Sequence, residues 1–153
     1  MSSIDRADPV ILGHVLAEHR ELFGQMQAVR AAYAAEGPPT RDSVADIVAT
    51  LRSLREHLRS HFAQEEQGGF MEESIARMPR LAAQATAILS QHPVLLVQLD
   101  SLIDSTLSGG LTAAEWVAHR ERFAGFAAQM QAHEKSENAV LQDGYNEDLG
   151  LVD

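Results

Sequence analysis

Two His-x-x-x-Glu pairs stand in this chain, His61–Glu65 and His133–Glu137. A residue four positions on lies one helical turn up and about 40° round, so each imidazole and its carboxylate reach toward one point. Such a pair can share a metal ion. Each pair also interrupts an apolar stripe. One stripe reads Leu54, Leu58, His61, Glu65, and the other reads Phe126, Met130, His133, Glu137, Val140. Two further histidines sit on apolar stripes, His19 between Leu16 and Leu22, and His92 between Leu89 and Leu95. The candidate donor set is therefore His19, His61, Glu65, His92, His133 and Glu137. One His-x-x-x-Glu pair is an ordinary helix-surface contact. Two pairs and two inward histidines in one core, with no cation among them, would be costly to bury.

The elements that must position these residues are four long segments of helical periodicity, over about 8–36, 42–67, 79–107 and 112–141. Glycine and proline mark the breaks at Gly37-Pro38-Pro39, at Gln67-Gly68-Gly69 through Pro79, and at Ser108-Gly109-Gly110. Asp8 before Pro9 suits the first helix start, and Asp42 or Ser43 the second. Thr112 with Glu115 matches a capping box for the fourth. The first stripe is Leu12, Val15, Leu16, Leu22, Phe23, Met26, Val29 and Tyr33. A short helical turn is expected near 71–77. Pro93 removes a hydrogen bond to Leu89 and predicts a kink at His92, or a helix that restarts there.

Four such helices with short connections predict an all-α, up-down-up-down antiparallel four-helix bundle. The 153 residues form one domain over 1–153, with a polar, acidic tail from about 142. At this length folding buries roughly 70% of the chain's surface, enough for one core. Helical rise tests the donor set independently. With alternating helix directions, His19, His61, His92 and His133 stand at about 16, 12, 19 and 10 Å along the bundle, one slab about 10 Å thick.

Composition narrows the chemistry. The formal net charge of −10 disfavours a nucleic-acid partner. The chain has no cysteine, which excludes disulfides, thiolate metal sites and iron–sulfur clusters. No apolar run approaches the roughly 20 residues of a membrane span, and the N-terminus has no apolar signal region. The expectation is a soluble cytoplasmic protein. Four imidazoles and two carboxylates exceed the needs of one ion and suit two ions bridged by the carboxylates. Without thiolate, this set favours iron or manganese first, and zinc also fits.

The remaining candidates are peripheral. His57 is one turn from His61, where it supports that residue or competes as a ligand. Glu66 and Glu134 adjoin the donors and read as alternative ligands or solvated surface charges. His119 is about 21 Å along the helix from His133, too far to share the site. His14 is about 140° round from His19 and faces outward.

The ordered series His, His-x-x-x-Glu, His, His-x-x-x-Glu resembles the hemerythrin-like family, also called the HHE cation-binding domain. The resemblance runs from Glu18-His19-Arg20 through His61-Phe62-Ala63-Gln64-Glu65-Glu66 and Gln91-His92-Pro93 to His133-Glu134-Lys135-Ser136-Glu137-Asn138. It implies a non-haem di-iron site bridged by Glu65 and Glu137, with His19 and His61 on one iron and His92 and His133 on the other. Oxygen-carrying members have a second histidine one turn after the third-helix ligand, where this chain has Leu96. They also end in His-x-x-x-x-Asp, where this chain has Asn138. Iron-sensing members place an extra carboxylate beside the second-helix histidine, at the position of Phe62 here. The four-histidine, two-glutamate set is more similar to bacterial relatives linked to nitric oxide, oxidative stress and repair of iron centres. The resemblance thus implies a protein handling oxygen, nitric oxide or peroxide. The alternatives are a di-iron enzyme or iron donor, and a signalling module with a structural metal. With no cysteine of its own, reductive chemistry here needs an external electron donor.

Overall fold

The computed structural model describes residues 9–35, 37–67, 71–72, 76 and 78–148. Its long helices are α1 (Pro9–Tyr33), α2 (Arg41–Gln67), α3 (Ala82–Ser108) and α4 (Ala113–Asp148). α1 packs on α2 and α4, and α3 packs on α2 and α4, so successive helices are neighbours and the ring closes between first and last. This is the up-down-up-down four-helix bundle that short connections favour. No helix among the described residues is long and apolar enough to cross a membrane.

The helix ends refine the expected boundaries. Asp8 lies outside the described residues. α1 stops at Tyr33, and Gly37 turns the chain at φ 86°, a conformation that favours glycine. α2 is capped by Thr40 rather than by Asp42 or Ser43. Thr40 Oγ1 accepts from the Ser43 N–H at 3.1 Å, and Ser43 Oγ accepts from the Thr40 N–H at 2.7 Å. Ser43 thus acts as the third helical residue of a reciprocal box. Met71, Glu72 and Ala76 are helical, and Pro79–Leu81 form a 3-10 turn that leads into α3. α3 continues through Pro93 without restarting. Thr112 caps α4 as expected, accepting from the Glu115 N–H at 3.2 Å. The Glu115 carboxylate does not complete the box. It accepts instead from the Gly110 N–H. α4 runs seven residues past the expected end at Leu141, because Val140 and Leu141 are buried and no proline interrupts the polar stretch that follows.

The apolar interior is divided in two. The larger cluster runs from Leu22 to Tyr33 on α1, Ile47 to Phe62 on α2, Leu95 to Ile103 on α3 and Trp116 to Met130 on α4. The smaller one joins Val15, Met71, Met78, Leu81, Ala85, Ile88, Val140 and Leu141. On α1, Leu22, Met26, Val29 and Tyr33 take the inward line. Phe23, expected on that stripe, is 42% exposed because it stands about 100° round from Leu22. The Tyr33 hydroxyl donates to Thr106 Oγ1 at 3.4 Å, while Thr106 donates to the Leu102 carbonyl. On α1, α3 and α4 the two clusters leave a layer between them, and on α2 the same level follows the end of the larger cluster. His19, His61, Glu65, His92, His133 and Glu137 occupy that layer.

Candidate metal centre

All six side chains are buried, and Glu137 is wholly enclosed. The i, i+4 geometry puts His61 Nε2 at 2.9 Å from Glu65 Oε1 and His133 Nε2 at 3.5 Å from Glu137 Oε2. The outer helices close on these pairs. His19 Nε2 lies 2.8 Å from Glu137 Oε1, and His92 Nε2 lies 3.9 Å from Glu65 Oε1 and 4.0 Å from Glu137 Oε2. The donor atoms fall into two groups, each within 4.8 Å of one another. One is His19, His61, Glu65 and Glu137, and the other is Glu65, His92, His133 and Glu137. Both glutamates belong to both groups. The histidine rings pair the same way, edge to face, with centroids 5.1 Å apart for His19–His61 and 5.0 Å for His92–His133. Phe62 lies flat on His92 with centroids 3.9 Å apart.

The pocket is short of hydrogen-bond partners. His61 Nε2, His92 Nε2, His133 Nε2, Glu65 Oε1 and Glu137 Oε2 are buried with none. Unpartnered buried polar atoms are costly, and here they converge. Without a cation, burial and the adjoining Glu137 carboxylate push the Glu65 carboxyl up to about 12. Burial opposes the charge on Glu137 too, but the adjoining His133 ring and the hydrogen bonds from His19 and the Glu65 carboxyl hold it well below the usual range. Burial pushes the His61 imidazole down to about 4, against the pull of Glu137. His92 is also lowered, chiefly by burial. For His19 burial is outweighed by the hydrogen bond to Glu137, and its pKa rises. The cation-free pocket therefore carries one protonated and one ionised carboxyl, with the lone pairs of His61 and His92 available.

A ring of supporting residues lies outside the six. His92 Nδ1 donates to Glu66 Oε1 at 3.0 Å, and His133 Nδ1 donates to Gln91 Oε1 at 2.7 Å. His61 Nδ1 lies 3.9 Å from Glu18 Oε2. The two hydrogen bonds turn the other nitrogen, Nε2, of His92 and His133 toward the pocket. Glu66, expected as a ligand substitute or a solvated charge, is half exposed with its tip on His92. Glu134, given the same two readings, is buried. Burial raises its carboxyl to about 7, with Glu137 adding to the rise and His19 opposing it. His57 joins neither group and is held by Glu18 and Gln25. His14 is exposed and His119 is buried against Gly109, away from the six. Sequence reading missed Gln91 and Glu18. Each directly precedes a pocket histidine, but each serves a histidine of another helix.

The sequence profile of the hemerythrin HHE cation binding domain matches residues 10–143. The chain belongs to the hemerythrin family. No curated protein and no solved structure gives a match. A hemerythrin HHE domain is a cation-binding domain, and the imidazole and carboxylate groups gathered here are compatible with metal binding. The donor set fits such a cation on its own chemistry. Five unpartnered buried atoms lie close together, and all are nitrogen or oxygen, as first-row metals of intermediate hardness require.

Proposed function

We propose that this hemerythrin-family chain holds two iron ions and uses them to handle a small diatomic or redox ligand such as oxygen, nitric oxide or peroxide. The observation that carries the reading is the sharing of Glu65 and Glu137 by two four-residue donor groups. His19 and His61 would hold one ion, His92 and His133 the other, and the two carboxylates would bridge them. A bridged iron pair supplies redox equivalents and a place for a diatomic ligand.

The chain's own residues prepare that chemistry. Glu65 holds a proton that loading must displace, and its ionisation then balances charge in an enclosed space. Glu66 and Gln91 fix the tautomers of His92 and His133, so that Nε2 carries the lone pair. Phe62 covers one face of His92 and keeps water from it. Approach is open on one side. A cavity of about 260 Å³ between α3 and α4 is lined by Gln91, Val94, Leu95, Gln129, Ala132, His133 and Ser136, and it reaches the edge of His133. That volume is below the usual range for drug-sized ligands and suits a small one.

The test is metal analysis of the purified protein, followed by anaerobic reduction and addition of oxygen or nitric oxide under an absorption spectrometer. Two irons per chain and a reversible spectral change support ligand binding. Sustained consumption of ligand with an external donor makes the protein an enzyme. One zinc per chain, or two irons with no spectral response, overturns the proposed function.

A further inference from the structure

Outside the buried layer, α1 and α2 bring a second set of donors together at the surface. His57 Nε2 lies 2.8 Å from Glu18 Oε2 and 3.9 Å from Glu21 Oε2, and His57 Nδ1 lies 2.5 Å from Gln25 Oε1. Donor atoms bound to one ion at about 2.1 Å stand roughly 3–4 Å apart, and one ligand atom each of Glu18, Glu21 and His57 lie within 4.8 Å of one another, near that spacing. Among the described residues no lysine or arginine pairs with Glu18 or Glu21, whose side-chain neighbours within 4 Å include histidines. Exposed carboxylates on this protein elsewhere do find arginines, as Glu56 does with Arg55 and Arg59.

Glu18 also stands at the centre of a graded line. Its Oε1 lies 3.8 Å from His14 Nε2, and its Oε2 faces both His57 and, at 3.9 Å, His61 Nδ1. These three histidines are 55%, 24% and 3% exposed. One half-buried carboxylate thus touches a solvent-facing imidazole, an intermediate one and a buried one whose other nitrogen opens on the pocket. A line of donors that loses exposure stepwise lets an ion exchange water for protein ligands in stages, rather than shedding its hydration shell at once.

We propose that His57, Glu18 and Glu21 form a third, surface-facing site for a divalent first-row cation, from which the ion passes by way of Glu18 to the His61 side of the buried pocket. The transfer step rests on the reading that the pocket holds metal, whereas the surface site does not. Glu21, 69% exposed, leaves the bound ion partly hydrated, so binding is weak and exchange fast. No bond-making beyond ligand exchange is involved, and the ion keeps its oxidation state.

The experiment uses Co2+ for equilibrium binding and Fe2+ for anaerobic uptake, with the full chain and the variants His57→Ala, Glu21→Gln and Glu56→Gln. The last removes the same charge from an exposed position on α2 outside the cluster. Expected is one weakly held Co2+ per chain beyond those in the pocket, lost in His57→Ala and in Glu21→Gln and kept in Glu56→Gln. Fe2+ uptake, followed by competition with a coloured chelator, slows about tenfold in the two cluster variants, the scale on which a focused charged surface alters association. Equal Co2+ stoichiometry in all four proteins overturns the surface site. Loss of the weak ion with unchanged Fe2+ uptake overturns the transfer. A chain that binds only the weak ion, and loses it in Glu21→Gln, supports the surface site while overturning the buried-pocket reading. Circular dichroism of each variant identifies any loss that comes from unfolding.

Discussion

Glu66, on α2, accepts a hydrogen bond from His92 Nδ1, on α3, at 3.0 Å. Its neighbour Glu65 turns into the pocket, so two successive carboxylates on one helix act on opposite nitrogens of the same ring. The outer contact sets the tautomer and aims the inner nitrogen.

Glu66→Ala is therefore expected to weaken metal binding about 10- to 100-fold, the usual effect of removing such an outer partner. Glu66→Gln keeps an acceptor for the Nδ1 proton and should recover most of the loss. Competition against a chelator of known affinity measures both. Helicity should not change in either variant, because Glu66 is half exposed and packs against no apolar cluster. Equal affinity in wild type and Glu66→Ala would mean that packing under Phe62 alone orients His92.

Chelation should lower the melting temperature without unfolding the chain. The two apolar clusters above and below the donor layer persist without metal, and they hold all four helices. Metal bound to the native state alone, at a hundred times its dissociation constant, adds about 2.7 kcal/mol. Circular dichroism melts with and without chelator test this. A chelated chain that has lost its helices would show that ligation, not packing, carries the bundle.

The inward lines of the helices were legible because burial repeats at three and four residues, and a polar residue on such a line stands out. His19, His61, His92 and His133 are legible for that reason, as is the bundle that gathers them. The alternation of Leu22 and Phe23 was not, since both are apolar and only packing against α2 and α4 selects Leu22. The cap at Thr40 was hidden among neighbouring Asp42 and Ser43, which cap equally well on paper. Gln91 and Glu18 escaped for a third reason. A residue flanking a donor points about 100° away, and whether that direction meets water or another helix is decided by the ring of contacts around it.

Leu51→Ala separates packing from ligation. Leu51 is fully buried in the larger cluster, several turns from the donor layer on α2. The substitution should cost about 2–5 kcal/mol of stability, through lost burial and the cavity left behind. Metal affinity should stay within a few-fold of wild type, because no donor or supporting residue touches the cavity. Urea melts of the chelated form and chelator competition of the loaded form measure the two quantities. A parallel collapse of affinity would show that the larger cluster and the donor layer yield as one unit.

Metal uptake should release protons, and affinity should rise with pH. The sign follows from Glu65. In the cation-free fold its carboxyl is raised to about 12, against an ordinary value of 4.5, so the native chain holds a proton there that the unfolded chain has lost. Across that window the Glu65 contribution to cation-free stability is largest at low pH and falls as pH rises. Glu134, raised to about 7, adds a fall of the same sign that ends near neutrality. His61, lowered to about 4 from 6.5, acts oppositely: its contribution is full above 6.5 and is lost as pH drops toward 4. Above neutral pH only the Glu65 contribution still changes with pH among these three. A cation must displace that proton to use the carboxylate, so affinity should climb about tenfold per pH unit for each proton released. The lowered imidazoles of His61 and His92 have no proton to give up at neutral pH. Chelator competition between about pH 7 and 8, with proton release read in weak buffer, measures the slope. Glu65→Gln should remove its share of the release along with most of the affinity, leaving the proton that His19, whose pKa is raised, gives up on binding. Glu134→Gln should keep both and remove only the fall in cation-free stability between 4.5 and about 7. A pH-independent affinity would mean that Glu65 is already ionised in the cation-free pocket, and hence that water reaches carboxylate oxygens that are buried in the structure.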